Sequence, residues 1–264
     1  AKVCADGRVD LENVESAIQN VDRPALSVQW VNNETGAIQP IEDLVYIARR
    51  HGALVHIDAA QAIGKLKIDV ESLSPDFLSC TAHKINGLRG VGVLYTRNPQ
   101  WIQPIRFGGT QEKGIHPGTE NLAGIAAFGA AANERRACLA QAIDHMLQLR
   151  DTFEVQVLES CPWAQVNATQ APRVCNTTNI RFAGIDGEAL MARLDSEGIY
   201  CSQSSACTNQ KPEPSFVLRA MGLSEAEAYE SVRFSMGVMN THDEVVKAAD
   251  TVVTIAEQLR RLFA

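Results

Sequence analysis

Asp76-Phe77-Leu78-Ser79-Cys80-Thr81-Ala82-His83-Lys84 is the stretch on which the fold turns. Its apolar run follows the Ser74-Pro75 break and ends abruptly in a hydroxyl, an imidazole and an amine. The next residues, Ile85-Asn86-Gly87-Leu88-Arg89-Gly90, are too rich in glycine to continue it. The pattern predicts a buried strand over residues 76–80, with Lys84 at or just past its end. A lysine removed from water has a lowered pKa and keeps more free amine to attack a carbonyl carbon, which is what a Schiff-base lysine needs. A solvated lysine lying along the surface is the competing reading, and the neighbouring sequence must decide.

Working outward, the same grammar repeats. Ala25 to Val31 reads as a strand that runs into the polar loop Asn32-Asn33-Glu34-Thr35-Gly36. Pro40 suits the first turn of a helix carrying Ile41, Leu44, Val45 and Ala48, and Gly52 is its stop. Ala53 to Ile57 is a second strand ending at Asp58, and Val91 to Tyr95 is another. Strand, helix and strand in alternation predict an α/β fold, a mainly parallel sheet with covering helices. Ligands of such sheets bind at the carboxyl ends of strands, where Asn33, Asp58, Gln61 and Lys84 all fall. Asp58 could instead simply cap the turn that follows it.

The glycine-loaded segment from Gly108 to Thr119 reads as a shaped loop. Glu120 to about Ser160 forms one long or broken helix. Beyond it come strand-like Val174 to Phe182, a helix through Leu190, Met191 and Leu194, the strand Ser231-Val232-Arg233-Phe234-Ser235, and a final helix opened by the capping box Thr241-His242-Asp243-Glu244. The division expected is residues 1–135 as a large domain and 136–264 as a spine helix with a smaller α+β domain.

With 45% hydrophobic and 21% charged residues the chain folds instead of staying disordered. A net charge of -7 argues against a generic nucleic-acid or anionic-membrane binder and for a small-molecule substrate. No apolar run is long enough to span a bilayer, and Ala1 to Asp6 lack a signal peptide's apolar core, so the expectation is a soluble, cytoplasmic protein. The seven cysteines (Cys4, Cys80, Cys138, Cys161, Cys175, Cys201 and Cys207) include no CxxC pair, and the histidines do not cluster at zinc spacing. Reduced thiols and no metal are expected.

An aspartate, an amide and a lysine at neighbouring strand ends match the needs of pyridoxal phosphate: an amine for its aldehyde and a carboxylate to keep its ring nitrogen protonated. The runs VNNETGAIQPI (31–41), LVHIDAAQAIGKLKIDV (54–70), SCTAHKINGLRGVGVLY (79–95), SSACT (204–208) and SVRFSMG (231–237) resemble those of NifS/IscS-type cysteine desulfurases, fold-type I enzymes of the class V aminotransferase group. The resemblance runs from the first residues to the last helix.

That resemblance implies a pyridoxal 5'-phosphate enzyme converting L-cysteine to L-alanine. Lys84 would carry the Schiff base, Asp58 would pair with the ring nitrogen, and Asn33 and Gln61 would bond the phenolic oxygen. Thr81, standing where many relatives have serine, and His83 would donate to the phosphate, and Thr119 would reach a phosphate across a homodimer interface. Arg233 would hold the substrate carboxylate through its two-pronged guanidinium, with Asn33 assisting; a structural ion pair is its other reading. Cys207, on a loop of small polar residues, would take the sulfur as a persulfide and pass it to an acceptor: a scaffold, a carrier or a thiolation enzyme. Iron-sulfur cluster assembly, tRNA thiolation and DNA phosphorothioation all fit.

Two departures accompany the resemblance. The family's amino-terminal region, ahead of the point matching Ala1, supplies a phosphate-cradling loop and a histidine stacked on the pyridine ring, and no histidine here precedes His51. The expectation is a fragment, a chain complemented by another polypeptide, or impaired cofactor binding. Relatives also commonly carry arginine at the place of His116. The alternatives are another class V enzyme, a C-S lyase or an aminotransferase with Cys207 incidental, and a non-catalytic interaction module of the same fold.

Overall fold

In the computed structural model, which describes residues 1–203 and 213–263, the chain clusters into two compact units. One comprises Glu15–Trp30 and Ile41–Leu139; the other comprises Ala1–Val14, Val31–Pro40 and Ala140–Ala264. The first helix, α1 (Leu11–Ile18), is opened by Asp10, whose carboxylate accepts from the Asn13 N–H at 3.0 Å.

In the first unit, β1 (Ala25–Gln29) leads to α2 (Ile41–Arg50), β2 (Leu54–Asp58), the single turn α3 (Val70–Leu73), β3 (Phe77–Thr81), β4 (Gly92–Thr96) and α4 (Leu122–Ala137). The strands lie in the order β1-β2-β3-β4; β1, β2 and β3 run parallel and β4 is antiparallel to β3. Because side chains alternate along a strand, one sheet face carries Val28, Val55, Ile57, Leu78 and Cys80, all buried. Helix α2 meets β2 and buries Ile41, Leu44, Val45, Ile47 and Ala48. The opposite face is polar: the His56 ring is bridged by the hydroxyls of Ser27 at 2.8 Å and Ser79 at 3.1 Å. Asp76, fully buried before β3, ties the layers together. Its carboxylate accepts from the Val55 N–H at 2.8 Å and from Arg49 at 3.0 Å.

In the second unit, α5 (Leu139–Ser160) precedes β5 (Ala164–Val166), β6 (Thr177–Phe182), α6 (Gly187–Ser196), α7 (Phe216–Ala220), α8 (Glu225–Tyr229), β7 (Ser231–Ser235) and α9 (His242–Phe263). The three strands form an antiparallel sheet, β5-β6-β7. Its core joins Leu149, Phe153 and Val157 of α5 to Phe182, Phe234, Leu190 and the α9 residues Val245, Ala249, Val252 and Ala256. The expected capping box is present, with the Glu244 N–H donating to the Thr241 hydroxyl and the Thr241 N–H to the Glu244 carboxylate.

The units differ from the continuous division expected at residue 135. Residues 31–40 join the second unit because the Ile38 N–H donates to the Pro172 carbonyl and the Val174 N–H to the Gly36 carbonyl, each at 2.8 Å. Residues 1–14 follow them: the Gln39 side chain accepts from the Val9 N–H and donates to the Gly7 carbonyl. Gly36, at φ +76°, sits with the Thr177 carbonyl 3.2 Å from where a Cβ would be, so the loop can lie there only as glycine. Of the two forms expected from Glu120 to about Ser160, one long helix or a broken one, the chain takes the broken form, interrupted at Cys138 between α4 and α5. The short helices α3, α7 and α8 lack the long apolar periodicity by which a helix is legible, although Ser224 and Glu227 form a capping box at the start of α8.

Candidate active site

The parallel register sets Asp58 of β2 opposite Ser79 of β3, and the Ala59 N–H continues the ladder to the Ser79 carbonyl at 2.8 Å. Thr81 lies two residues further along β3, and a 3-10 turn over Ala82–Ile85 carries His83 and Lys84. Asp58, Thr81, His83 and Lys84 therefore gather at one carboxyl edge of the sheet. The turn closes through Asn86, which takes the left-handed φ of 68° that asparagine tolerates and donates its N–H to the Ala82 carbonyl.

Asp58 caps the turn that follows its strand. Its Oδ1 accepts from the Ala60 N–H at 2.9 Å, capping the turn, and that bond fixes the carboxyl group at the strand end. Beneath it, burial and then the charge of Asp58 push the Cys80 thiol up to about 11, which makes it an inert core cysteine. Gln61 follows in the same turn, and its side-chain oxygen and main-chain carbonyl accept from the Lys65 ammonium at 3.0 and 3.2 Å. The Thr81 hydroxyl lies 2.9 Å from His83 Nδ1 and 3.3 Å from the Val91 carbonyl. Loss of solvent around the ring holds the His83 pKa below the usual imidazole range, and the cations Lys84 and Arg89 add to the effect. His83 is thus a neutral hydrogen-bonding ring near pH 7. Lys84 itself is exposed, so the desolvation expected of a Schiff-base lysine is not supplied here; the 3-10 turn holds it at the rim of the sheet.

The second unit gathers Asn33 and Arg233. Asn32, not Asn33, knits their loop: its side-chain oxygen accepts from the Glu34 and Thr35 N–H groups, each at 2.9 Å. The Asn33 carbonyl then accepts from Arg233 Nη1 at 2.9 Å. Arg233 is central in the strand pattern, paired with Asn179 on one side and bridged to Ser202 on the other. Burial lowers its pKa, while Glu34 and Cys201 oppose that. Glu34 is 1% exposed and its carboxylate accepts from the Ser215 hydroxyl. The charge of Glu34 thus acts on the arginine, whose Nη1 is held by the Asn33 carbonyl. Thr119 and His116 are exposed on the loop before α4, whose N-cap is Asn121. Cys207 lies outside the described residues.

Sequence reasoning missed Asn32, Glu34 and Lys65. For Lys65 the signal was a charged residue between Gly64 and Leu66 in the turn after a strand, which spacing alone does not separate from a surface charge; Glu34, between Asn33 and Thr35, carried no such signal. Among the described residues no group of three or more histidine, cysteine, aspartate or glutamate side chains could hold a metal, and no helix is long and apolar enough to cross a membrane.

The family described as Aminotransferase class-V matches residues 1–247. The chain is 37% identical over 260 residues to a cysteine desulfurase of Nostoc sp., covering 98% of this chain and 65% of that protein. It is 40% identical over 256 residues to the cysteine desulfurase NifS of Azotobacter vinelandii, covering 97% of this chain and 63% of that one. The chain thus spans less than two thirds of these relatives. Among solved structures, a NifS-like protein superposes with a TM-score of 0.88 at 33% identity, over 98% of this chain and 67% of that one.

Proposed function

Since the chain belongs to the aminotransferase class-V family, we propose that it is part of a pyridoxal phosphate-dependent cysteine desulfurase that converts L-cysteine to L-alanine and delivers sulfur through Cys207. The observation that carries the reading is the parallel β2/β3 register, which sets a carboxylate, Asp58, beside the strand end that bears Thr81, His83 and Lys84. The donor set fits pyridoxal phosphate group by group: a carboxylate for a protonated ring nitrogen, an amide for the phenolic oxygen, an amine for the aldehyde, and a hydroxyl with an imidazole for the phosphate. Bound there, the cofactor supplies an electron sink for the substrate's α-carbon.

The chain's own residues do the rest. Asp58 holds a proton on the ring nitrogen. Gln61 and Asn33 donate to the phenolic oxygen, and Thr81 and His83 to the phosphate, with Thr119 reaching the phosphate of a second copy in a homodimer. Arg233 grips the substrate carboxylate and so orients its sulfur. The Lys84 amine would hold the cofactor at its aldehyde carbon and would serve to move the substrate's α-proton. The Cys207 thiolate attacks the substrate sulfur; the Cβ–S bond breaks with its electron pair on carbon, which takes up a proton to leave alanine, and Cys207 keeps the extra sulfur as a persulfide. An acceptor, a scaffold, carrier or thiolation enzyme, then removes that sulfur; cysteine desulfurase relatives support this place in sulfur transfer.

The test is the visible spectrum of the purified chain titrated with pyridoxal phosphate, followed by cysteine. A bound-cofactor band that vanishes in Lys84→Ala, with persulfide that vanishes in Cys207→Ala while the band stays, is the expected result. Desulfuration persisting in Cys207→Ala overturns the direct-attack reading, and a band unaffected in Lys84→Ala overturns the anchor.

A further inference from the structure

Lys65 is 7% exposed, and burying an ammonium costs several kcal/mol unless it is well satisfied. A methionine would fill the same space without that cost. What only the ammonium supplies is three donors and no acceptor. Two of its bonds go to one residue, Gln61, to the carbonyl at 3.2 Å and to the side-chain oxygen at 3.0 Å. An amide's oxygen and nitrogen are ordinarily hard to tell apart. Here the partner decides, since an ammonium accepts from nothing and only Oε1 can face it. The NH2 half of Gln61 is thereby fixed as the half turned away from Lys65.

The turn is built to allow this. The Ala62 and Ile63 N–H groups donate to the Ala59 carbonyl, and the Lys65 and Leu66 N–H groups to the Ala62 carbonyl. Gly64, at φ +72°, bends the chain where Lys65 enters the interior. Asp58 and Gln61 are held in one wound segment whose far end is the ammonium.

We propose that Lys65 is a positioning residue that orients the Gln61 carboxamide so that it presents N–H donors, and no acceptor, to an anionic oxygen of the ligand. The inference deepens the reading given above and rests on it, because that oxygen is the phenolic oxygen of pyridoxal phosphate. Without Lys65 the carboxamide turns over freely and half its orientations set oxygen against oxygen.

Two readouts test it, neither of them activity. In the cofactor-free chain, the side-chain amide resonances of Gln61, identified by their loss in Gln61→Ala, shift or broaden in Lys65→Met. In a titration with pyridoxal phosphate, Lys65→Met weakens binding about twofold, Gln61→Ala weakens it at least as much, and the double variant is no weaker than Gln61→Ala alone. Gln61→Glu, which keeps the Lys65 contact but presents no donor, weakens binding further and guards against a Lys65→Met chain that fails to fold. Unchanged Gln61 resonances in Lys65→Met overturn the proposal outright. Equal losses from Lys65→Met in both backgrounds, with Gln61→Ala itself deleterious, overturn the positioning role and leave the role of Gln61 intact. Gln61→Ala binding as tightly as the parent removes the underlying reading and the proposal with it.

Discussion

Replacing Gly64 with alanine tests how the Gln61 turn and the Lys84 turn are held together. Gly64 sits at φ +72°, where an L-residue pays about 1 kcal/mol. A Cβ added there would lie 2.5 Å from Cγ2 of Ile85 and 3.0 Å from Cγ of Arg135. The arginine stem is flexible and moves aside. Ile85 is buried, at 3% exposed, and relieving that contact costs about 1–3 kcal/mol of overpacking. The sum is a loss of about 2–4 kcal/mol, read as a lower urea midpoint in unfolding followed by circular dichroism. Ile85 adjoins Lys84, so the displacement also moves the amine, and a cofactor titration should weaken in parallel. In an Ile85→Ala background the clash is gone, and Gly64→Ala should cost only the backbone term of about 1 kcal/mol. An equal cost in both backgrounds, or a cost below about 0.5 kcal/mol in the parent chain, refutes the close approach as the reason for glycine.

Asp76→Asn should destabilise by about 3 kcal/mol in the same assay, because an amide cannot accept from both the Arg49 guanidinium and the Val55 N–H without setting donor against donor; a change under about 1 kcal/mol would show that the buried charge is dispensable. The buried thiols set an alkaline limit. Burial raises Cys80 and Cys161 to about 11 and Cys201 to about 12, above the unfolded value of about 8.5, so their stabilisation is complete below that value and is lost as pH rises toward the folded values. Stability should fall between about pH 8.5 and 11 by up to roughly 1.4 kcal/mol per unit per thiol, with a shallower slope when all three are alanine; an unchanged slope sinks the assignment. Arg233→Lys should raise the KM for the amino-acid substrate about tenfold or more while leaving the cofactor spectrum alone, since an ammonium cannot both bond the Asn33 carbonyl and fork onto a carboxylate; a spectral change without a KM change would reassign the residue to cofactor binding.

Much of the first unit was legible because its signals are local. The strand before Lys84, the strand ending at Asp58 and the helix between Pro40 and Gly52 each end at a break that the sequence states outright, and each appears within a residue or two of where it was expected. The orientation of β4 was not legible, since an apolar run of five residues carries no direction. Nor was the exposure of Lys84, because whether a rim is covered depends on what packs over it.

By itself the sequence determined the order of the longer strands and helices, the residue types at strand ends, and their kinship with class V enzymes, since all of these are written in short-range pattern and motif. Only the tertiary structure decided that residues 1–14 and 31–40 belong with the distant carboxyl-terminal half, that Arg233 reaches across 200 positions of sequence to the Asn33 carbonyl, and that Lys65 turns inward to hold Gln61. The first two depend on hydrogen bonds between segments far apart along the chain; the third is a bond across four residues whose burial depends on what packs around it, so in each case folding, not neighbouring sequence, sets the partner.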